Sequence, residues 1–300
     1  MSASLIVHGG AGDWSSEDGD GEALVAACRA AARAGFEILR AGGSALDAVT
    51  ATVVVLEDDP RFNAGTGSAL TVDGEVECDA SVMRGDGGAG AVGALRDVMN
   101  PIRLARLVME RTPHVLLVGA GAEAFALECG LTPLAPGTLV TERMRDKWRA
   151  TVRGAAAAPS GGTVGCVARD AAGRVAAATS TGGMMLKRRG RVGDSAVLGA
   201  GTYAEDAAGA VSCTGFGEAF IKAAAAKQAV EALRAGRSPT EAARELLPVV
   251  RRHGGSGGLI CVDAAGRVGF AFDTPRMAHA WIDTDGREGG GFRGPVPPPL

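Results

Sequence analysis

Four short stretches in the third quarter of the chain concentrate hydroxyls, glycines and one arginine–aspartate pair. They are Gly162-Thr163, Thr179-Ser180-Thr181-Gly182-Gly183, Gly190-Arg191-Val192-Gly193-Asp194 and Ser212-Cys213-Thr214-Gly215-Phe216-Gly217-Glu218. A hydroxyl is a weak nucleophile until a base takes its proton, and no histidine falls inside these stretches. The local alternative is an α-amino group, whose ordinary pKa of about 7.7–8.0 suits general-base work near neutrality. A threonine whose own amine is freed by chain cleavage would carry nucleophile and base together. The glycine before Thr163 leaves room for the strained backbone that self-cleavage requires. Taken singly, Thr163 reads as an ordinary strand threonine, and Arg191 with Asp194 as a solvated turn. Their joint placement favours chemistry.

Other candidate motifs fail on context. His114–Ala124 (HVLLVGAGAEA) has the shape of a dinucleotide fingerprint, strand then Gly-x-Gly-x-x-Ala then helix. The segment that follows, Leu131-Thr-Pro-Leu-Ala-Pro-Gly, supplies no second strand ending in an acidic residue. Gly254-Gly-Ser256-Gly-Gly258 matches Gly-x-Ser-x-Gly, but it follows a helix and precedes a strand, the reverse of a nucleophile elbow. The histidines at 8, 114, 253 and 279 have no spacing that places two on one face, and the carboxylates form no ligand motif. A catalytic metal is not expected.

The elements that must position these residues are partly visible. Leu5–Val7 reads as a strand, and helical periodicity runs from Glu22 to Arg40, stopped by Gly42-Gly43. Ser44 with Asp47 resembles a capping box for a second helix to about Leu56. Ala69–Val72 and Val76–Cys78 flank an Asp73-Gly74 turn, and Asn100-Pro101 opens a helix to Met109. His114–Val118 reads as a strand, Glu123–Cys129 as a short helix, and Thr163–Ala168 as a strand. VARDAAGRV at Val167–Val175 is echoed by VDAAGRV at Val262–Val268, two hairpins sharing one turn. Gly217–Ala235 and Ser238–Val250 read as consecutive helices, residues 151–162 as a small-residue linker, and 289–300 as a disordered tail. The pattern suggests two packed sheets covered by helices.

Together with VHGGAG near the start, Pro60-Arg-Phe-Asn-Ala-Gly-Thr-Gly-Ser68, Asp79-Ala-Ser-Val-Met83 and Asn100-Pro101, the four stretches resemble the plant-type L-asparaginase/isoaspartyl dipeptidase family of N-terminal-nucleophile hydrolases. The resemblance covers nearly the whole chain. It implies an α+β fold, a four-layer αββα sandwich forming a single domain over 1–300. It also implies an inactive precursor that cuts itself between Gly162 and Thr163 into an α-subunit (1–162) and a β-subunit (163–300), assembled as a dimer of αβ units. By the same resemblance, Thr163 is the nucleophile and Thr181 its hydrogen-bonding neighbour. Arg191 holds the substrate α-carboxylate and Asp194 its α-ammonium. Thr214 and the Gly215 amide form the oxyanion hole, Gly217 joins the substrate site, and Asn63 helps around the new N-terminus. In that family the loop before Asn63 often wraps a structural sodium ion through backbone carbonyls, here those of Leu56, Glu57 and Phe62.

Physical chemistry supports these roles. Asparagine and β-aspartyl peptides share a zwitterionic end and a side-chain amide carbonyl. A guanidinium grips a carboxylate through two parallel hydrogen bonds, and a carboxylate three residues on can take the ammonium. Two rivals stand beside this reading: a glycosylasparaginase-type amidase, and a non-catalytic nucleotide-binding module built on Gly119–Ala124.

Composition narrows the class further. Net charge is −3 from 31 Lys+Arg and 34 Asp+Glu, without a block of either sign, so no nucleic-acid or membrane-surface binder is expected. No window approaches 18 consecutive apolar residues, and the start lacks a basic n-region. The six cysteines never form Cys-x-x-Cys and read as free thiols of a cytoplasmic protein. Glycine, 46 of 300 residues, is about twice its usual share of about 7% and implies many tight turns and close backbone approaches.

Overall fold

Short strands of small and branched apolar residues, buried on both faces, set the architecture. The computed structural model describes residues 3–12, 21–154 and 162–293. Its strands are β1 (Ser4–Gly12), β2 (Cys78–Arg84), β3 (Ala89–Leu95), β4 (Leu116–Val118), β5 (Val164–Arg169) and β6 (Val175–Thr181). They continue with β7 (Thr202–Glu205), β8 (Gly209–Gly215), β9 (Gly257–Asp263), β10 (Val268–Phe272), β11 (Arg276–Ile282) and β12 (Glu288–Arg293). One sheet has eight strands in the order β12-β11-β1-β5-β6-β2-β3-β4, the other four in the order β10-β9-β8-β7. Every pairing is antiparallel except β3 with β4.

Because side chains alternate across a strand, each central strand feeds two cores. Leu5 and Val7 of β1 and Cys166 and Ala168 of β5 face a helix-covered core, whereas Ile6 and Val167 face the opposite sheet. In the smaller sheet Val211, Cys213, Leu259 and Cys261 face helices, and Ala210, Ile260 and Val262 face the larger sheet. Helices α1 (Gly21–Arg40), α2 (Ala45–Asp58) and α3 (Pro101–Arg111) cover the large sheet. Near the β4 edge follows α4 (Gly119–Glu128), and α5 (Glu142–Val152) packs Met144 and Trp148 beside Leu70 and Val76; α6 (Gly217–Ala223), α7 (Ala225–Arg234) and α8 (Pro239–Arg252) pack with the small sheet. The result is the expected α+β sandwich of two sheets flanked by helices. Close packing of α1 on α2 depends on Gly35, where a Cβ would come within 2.0 Å of Thr52 Oγ1.

Several local expectations are corrected. The stretch taken as linker begins inside α5, which Thr141 caps by accepting the Met144 amide and which runs to Val152. The rest of that linker, 155–161, lies outside the described residues, as does 294–300. Residues 289–293 are not a disordered tail but part of β12: Gly289 lets the strand lie on Trp281, and Phe292 packs on α1 at Gly21. The helix expected over Gly217–Ala235 is two, broken at Ala224 in the left-handed region. There the amides of Ala226 and Lys227 turn to the carbonyls of Ala200 and Gly199. Asn100 does not cap α3 with its side chain, which donates to Asp58 instead. The Ile102 amide is met by the buried Glu57 carboxylate at 3.1 Å. The Gly119–Ala124 stretch, set aside as a fingerprint on sequence context, sits where β4 ends the sheet, so no further parallel strand completes a dinucleotide site among the described residues.

Candidate active site

The β5–β6 register pairs Val164 with Ser180, and continuing it by one residue sets Thr163 opposite Thr181. Both are buried and line a cleft together with Gly183, Met184, Arg191, Asp194, Gly215 and Gly217. That cleft encloses about 10 Å³, room for about one water. Thr163, Thr181, Arg191, Asp194, Gly215 and Gly217, dispersed in sequence, therefore meet in one place. Met184 was not singled out in advance.

Asn63 and Thr214 flank the cleft instead of lining it. Asn63 accepts the Ala69 amide at 2.7 Å and donates to the Gly183 carbonyl at 2.8 Å, fixing the turn that carries the cleft wall. Its Cβ packs on Gly162, where φ is +120° and an added Cβ would lie 2.7 Å away. Only glycine adopts that backbone readily, so the residue before Thr163 is held in a conformation closed to side chains. Thr181 Oγ1 accepts the Gly183 amide at 2.9 Å. Thr214 Oγ1 accepts the Ala11 amide of β1 at 3.0 Å, which leaves the hydroxyl hydrogen to donate. Gly215 has φ +145° and passes against the Ser256 carbonyl. The adjacent Gly257 is anchored by Asp273, whose carboxylate accepts the Gly257 amide and one Arg251 donor.

Charge is arranged asymmetrically. The Nε and Nη2 edge of Arg191 donates to both carboxylate oxygens of Glu218, at 2.9 and 2.8 Å. Burial alone would raise the Glu218 carboxyl, but the Arg191 hydrogen bonds and charge bring it below its ordinary value. Asp194 opens a single 3-10 turn, Asp194–Ala196, and is buried. Burial pushes its carboxyl up to about 7 against the opposing Arg191 charge, and Oδ2 has no hydrogen-bond partner. Gly217 stands between them, since a Cβ there would strike Asp194 Oδ1 and Arg191 Nη2.

A histidine does reach Thr163, from 155 residues away. His8 Nδ1 lies 3.0 Å from the Thr163 carbonyl oxygen, and Nε2 lies 3.0 Å from Ser212 Oγ. A carbonyl only accepts, so Nδ1 carries the hydrogen and Nε2 receives the serine hydroxyl. Burial, against the Thr163 hydrogen bond and helped by His279, its register partner on β11, drives this imidazole down to about 3. His8 is therefore neutral and holds the Thr163 backbone. From Ser212 a run of buried hydroxyls crosses the inter-sheet layer: Thr179 at 2.7 Å, Thr202 at 2.6 Å from Thr179, and Ser81 at 2.8 Å from Thr202. Ser81 also reaches the Ser195 carbonyl at 2.6 Å, beside Asp194. Sequence gave no spacing signal for His8; the only cue was its glycine-rich setting, since Gly10 passes so close to Gly162 that a Cβ would sit 2.7 Å from its Cα.

No cluster of metal-binding side chains occurs among the described residues. The Glu57 carbonyl accepts the Thr66 amide at 2.8 Å, and the Pro60 and Arg61 carbonyls accept Arg143. The buried Glu57 carboxyl, raised to about 8 mainly by burial, takes Ser180 and Ile102 on Oε1 and leaves Oε2 without a partner. Glu57 Oε2 is thus a buried oxygen beside the loop before Asn63 that a hard cation could meet.

A family model described as Asparaginase matches residues 1–289. A rat protein named isoaspartyl peptidase/L-asparaginase is 45% identical over 273 residues, 89% of this chain and 82% of its own length. The human protein of the same name is 46% identical over 273 residues, 89% of this chain and 88% of its own. A Pyrococcus abyssi protein named plant-type L-asparaginase is 45% identical over 298 residues, 93% of this chain and 95% of its own.

Proposed function

The chain belongs to the asparaginase family, and from that premise we propose that it is a self-processing threonine amidohydrolase acting on L-asparagine and β-aspartyl (isoaspartyl) dipeptides. One observation carries the reading: a single cleft joins Thr163, Arg191 and a buried Asp194 whose Oδ2 has no partner. In maturation the Thr163 hydroxyl attacks the Gly162 carbonyl, the acyl group passes from nitrogen to oxygen and so frees the Thr163 amine, and water then hydrolyses the ester to release the Gly162 carboxylate and restore the hydroxyl. In catalysis that amine takes the hydroxyl proton as Oγ attacks the substrate β-carbonyl. The proton then passes to the leaving ammonia or amino acid, and water releases aspartate from the β-aspartyl enzyme. Arg191 and Asp194 receive the carboxylate and ammonium of the zwitterionic end, and Gly217 keeps the two apart. Thr214 and the Gly215 amide donate to the oxyanion, where losing one donor costs about 2.7–4 kcal/mol.

Asn63, bonded to the Gly183 turn and packed on Gly162, keeps the new N-terminus beside the cleft. The carbonyls of Leu56, Glu57 and Phe62 would hold a sodium ion that stiffens the loop carrying Asn63 and takes no part in a chemical step. Two broader readings go with the family: a dimer of αβ units, and a cytoplasmic site supported by six free cysteines, all but Cys129 buried. No helix among the described residues is long and apolar enough to cross a membrane.

The test combines intact mass with activity. Wild type should resolve into fragments 1–162 and 163–300, release ammonia from L-asparagine and cleave β-aspartyl dipeptides. Thr163→Ala should stay whole and inactive. A wild type that processes yet cleaves only N-glycosylated asparagine would transfer the assignment to the glycosylasparaginase reading.

A further inference from the structure

Arg191 does not stand open to a ligand on every edge. Its Nε–Nη2 edge is committed to both oxygens of Glu218 on α6, with the arginine side chain 17% and the glutamate 39% exposed. The other end of the guanidinium points toward two glycines. A Cβ at Gly183 would come within 3.2 Å of Nη1, and one at Gly193 within 2.7 Å. Side chains are thus absent where an incoming carboxylate must approach, and the planar fork cannot swing while two parallel hydrogen bonds hold its far edge.

We propose that Glu218 is the positioning residue of the zwitterion site: it pins Arg191 so that the Nη1 side alone meets the substrate carboxylate, and it balances the arginine charge beside Asp194. This deepens the functional reading given above and rests on it for the substrate. Charge balance matters because Arg191 and Asp194 must serve opposite ends of one small molecule. An unopposed guanidinium would ion-pair with Asp194 itself and compete with the ammonium. The charged and titratable groups facing Asp194 come from several elements: Arg191 from the preceding loop, Asp79 from β2, Glu218 from α6 and Cys213 from β8. Arg191 favours the ionised carboxylate, whereas Asp79 and Glu218 oppose it. Removing the Glu218 charge therefore makes Asp194 ionise at lower pH.

Glu218→Gln and Glu218→Asp separate charge from mere contact, with Glu218→Ser as a second neutral variant if the Gln protein does not fold. All should cut before Thr163, because Glu218 touches neither Gly162 nor the nucleophile. The Gln variant should raise KM for L-asparagine about tenfold, the loss expected of one charge-assisted hydrogen bond. Its kcat should stay within about twofold of wild type. The acidic limb of its kcat/KM profile should move to lower pH, while Glu218→Asp keeps the wild-type limb. A neutral variant with wild-type KM and an unmoved limb overturns the proposal, as does an Asp variant whose limb moves equally far. Calorimetric binding of L-aspartate, which carries the same zwitterionic end, reads the pair independently of turnover. If wild type binds aspartate but hydrolyses neither substrate, the functional reading fails and a tenfold weaker Gln variant still supports Glu218. If wild type turns over normally and aspartate affinity is unchanged in the Gln variant, only the Glu218 proposal falls.

Discussion

Asp194 sits in tension between binding and stability. Its carboxyl ionises near 7 in the fold, against 3.8 ordinarily, because burial penalises the charge. The proposed ammonium partner must be ionised, so kcat/KM for L-asparagine should fall about tenfold per unit as pH drops below about 7. Asp194→Asn should lose most activity and flatten that limb; a rate profile from pH 5 to 9 checks both. The sign for folding is opposite. The unfolded carboxyl ionises from about 4 upward and the folded one only near 7, so stability declines as pH rises through that window. Asp194→Asn should accordingly be more resistant to denaturant at pH 8 than wild type. Thr163, Arg191 and Asp194 were legible because each stands between glycines in a short polar motif. His8 was not, since its contacts with Thr163 and Ser212 arise only when β1 is laid beside β5 and against β8. The partner of Arg191 was equally hidden: Glu218 was visible as the end of a motif, but not as the group that occupies the guanidinium fork.

Three hairpins share one solution to a tight turn. Asp170, Asp263 and Asp283 each use Oδ1 to accept the amides two and four residues on, closing β5–β6, β9–β10 and β11–β12. This is the aspartate's capacity to satisfy a turn's backbone locally. Asp263 also binds Arg267, and its side chain is 7% exposed against 25% for Asp283. On a Thr163→Ala background, which keeps one intact chain, Asp263→Ala should cost about 1–3 kcal/mol in denaturant unfolding. Asp283→Ala should cost clearly less, because water can replace its bonds. Equal losses would show that burial does not grade these turns. The sequence echo revealed the first two hairpins. The third was missed because its second strand, Glu288–Arg293, is glycine-rich and resembled a tail. β2 and β3 were missed for a related reason: both are buried nearly end to end, so polar–apolar alternation is lost. α5 escaped because only Met144 of its residues is buried, leaving no apolar stripe to read.

At the scale of the whole molecule, the proposed cut at Thr163 does not divide the structure into separable halves. The large sheet interleaves the two segments: β1 lies between β11 and β5, and β6 lies beside β2. Segment 1–162 alone would therefore leave both edges of β1 unpaired, as well as one edge of β2, and would expose the face of α1 that packs on β11 and the face of α2 that packs on β5 and β6. Segment 163–300 would keep the small sheet and its helices, but Ile260 and Val262 would lose Ile6 and Met83 from the inter-sheet core. Unpaired strands with apolar faces aggregate more readily than they fold. Expressed separately, each segment should be insoluble. Processed wild type should instead elute as one species under native conditions and part into two fragments only in denaturant. A native column that separates two folded fragments would contradict the interleaved sheet. Co-elution of the fragments would make the uncut precursor the unit in which the fold forms, with cleavage following as a local event at Gly162.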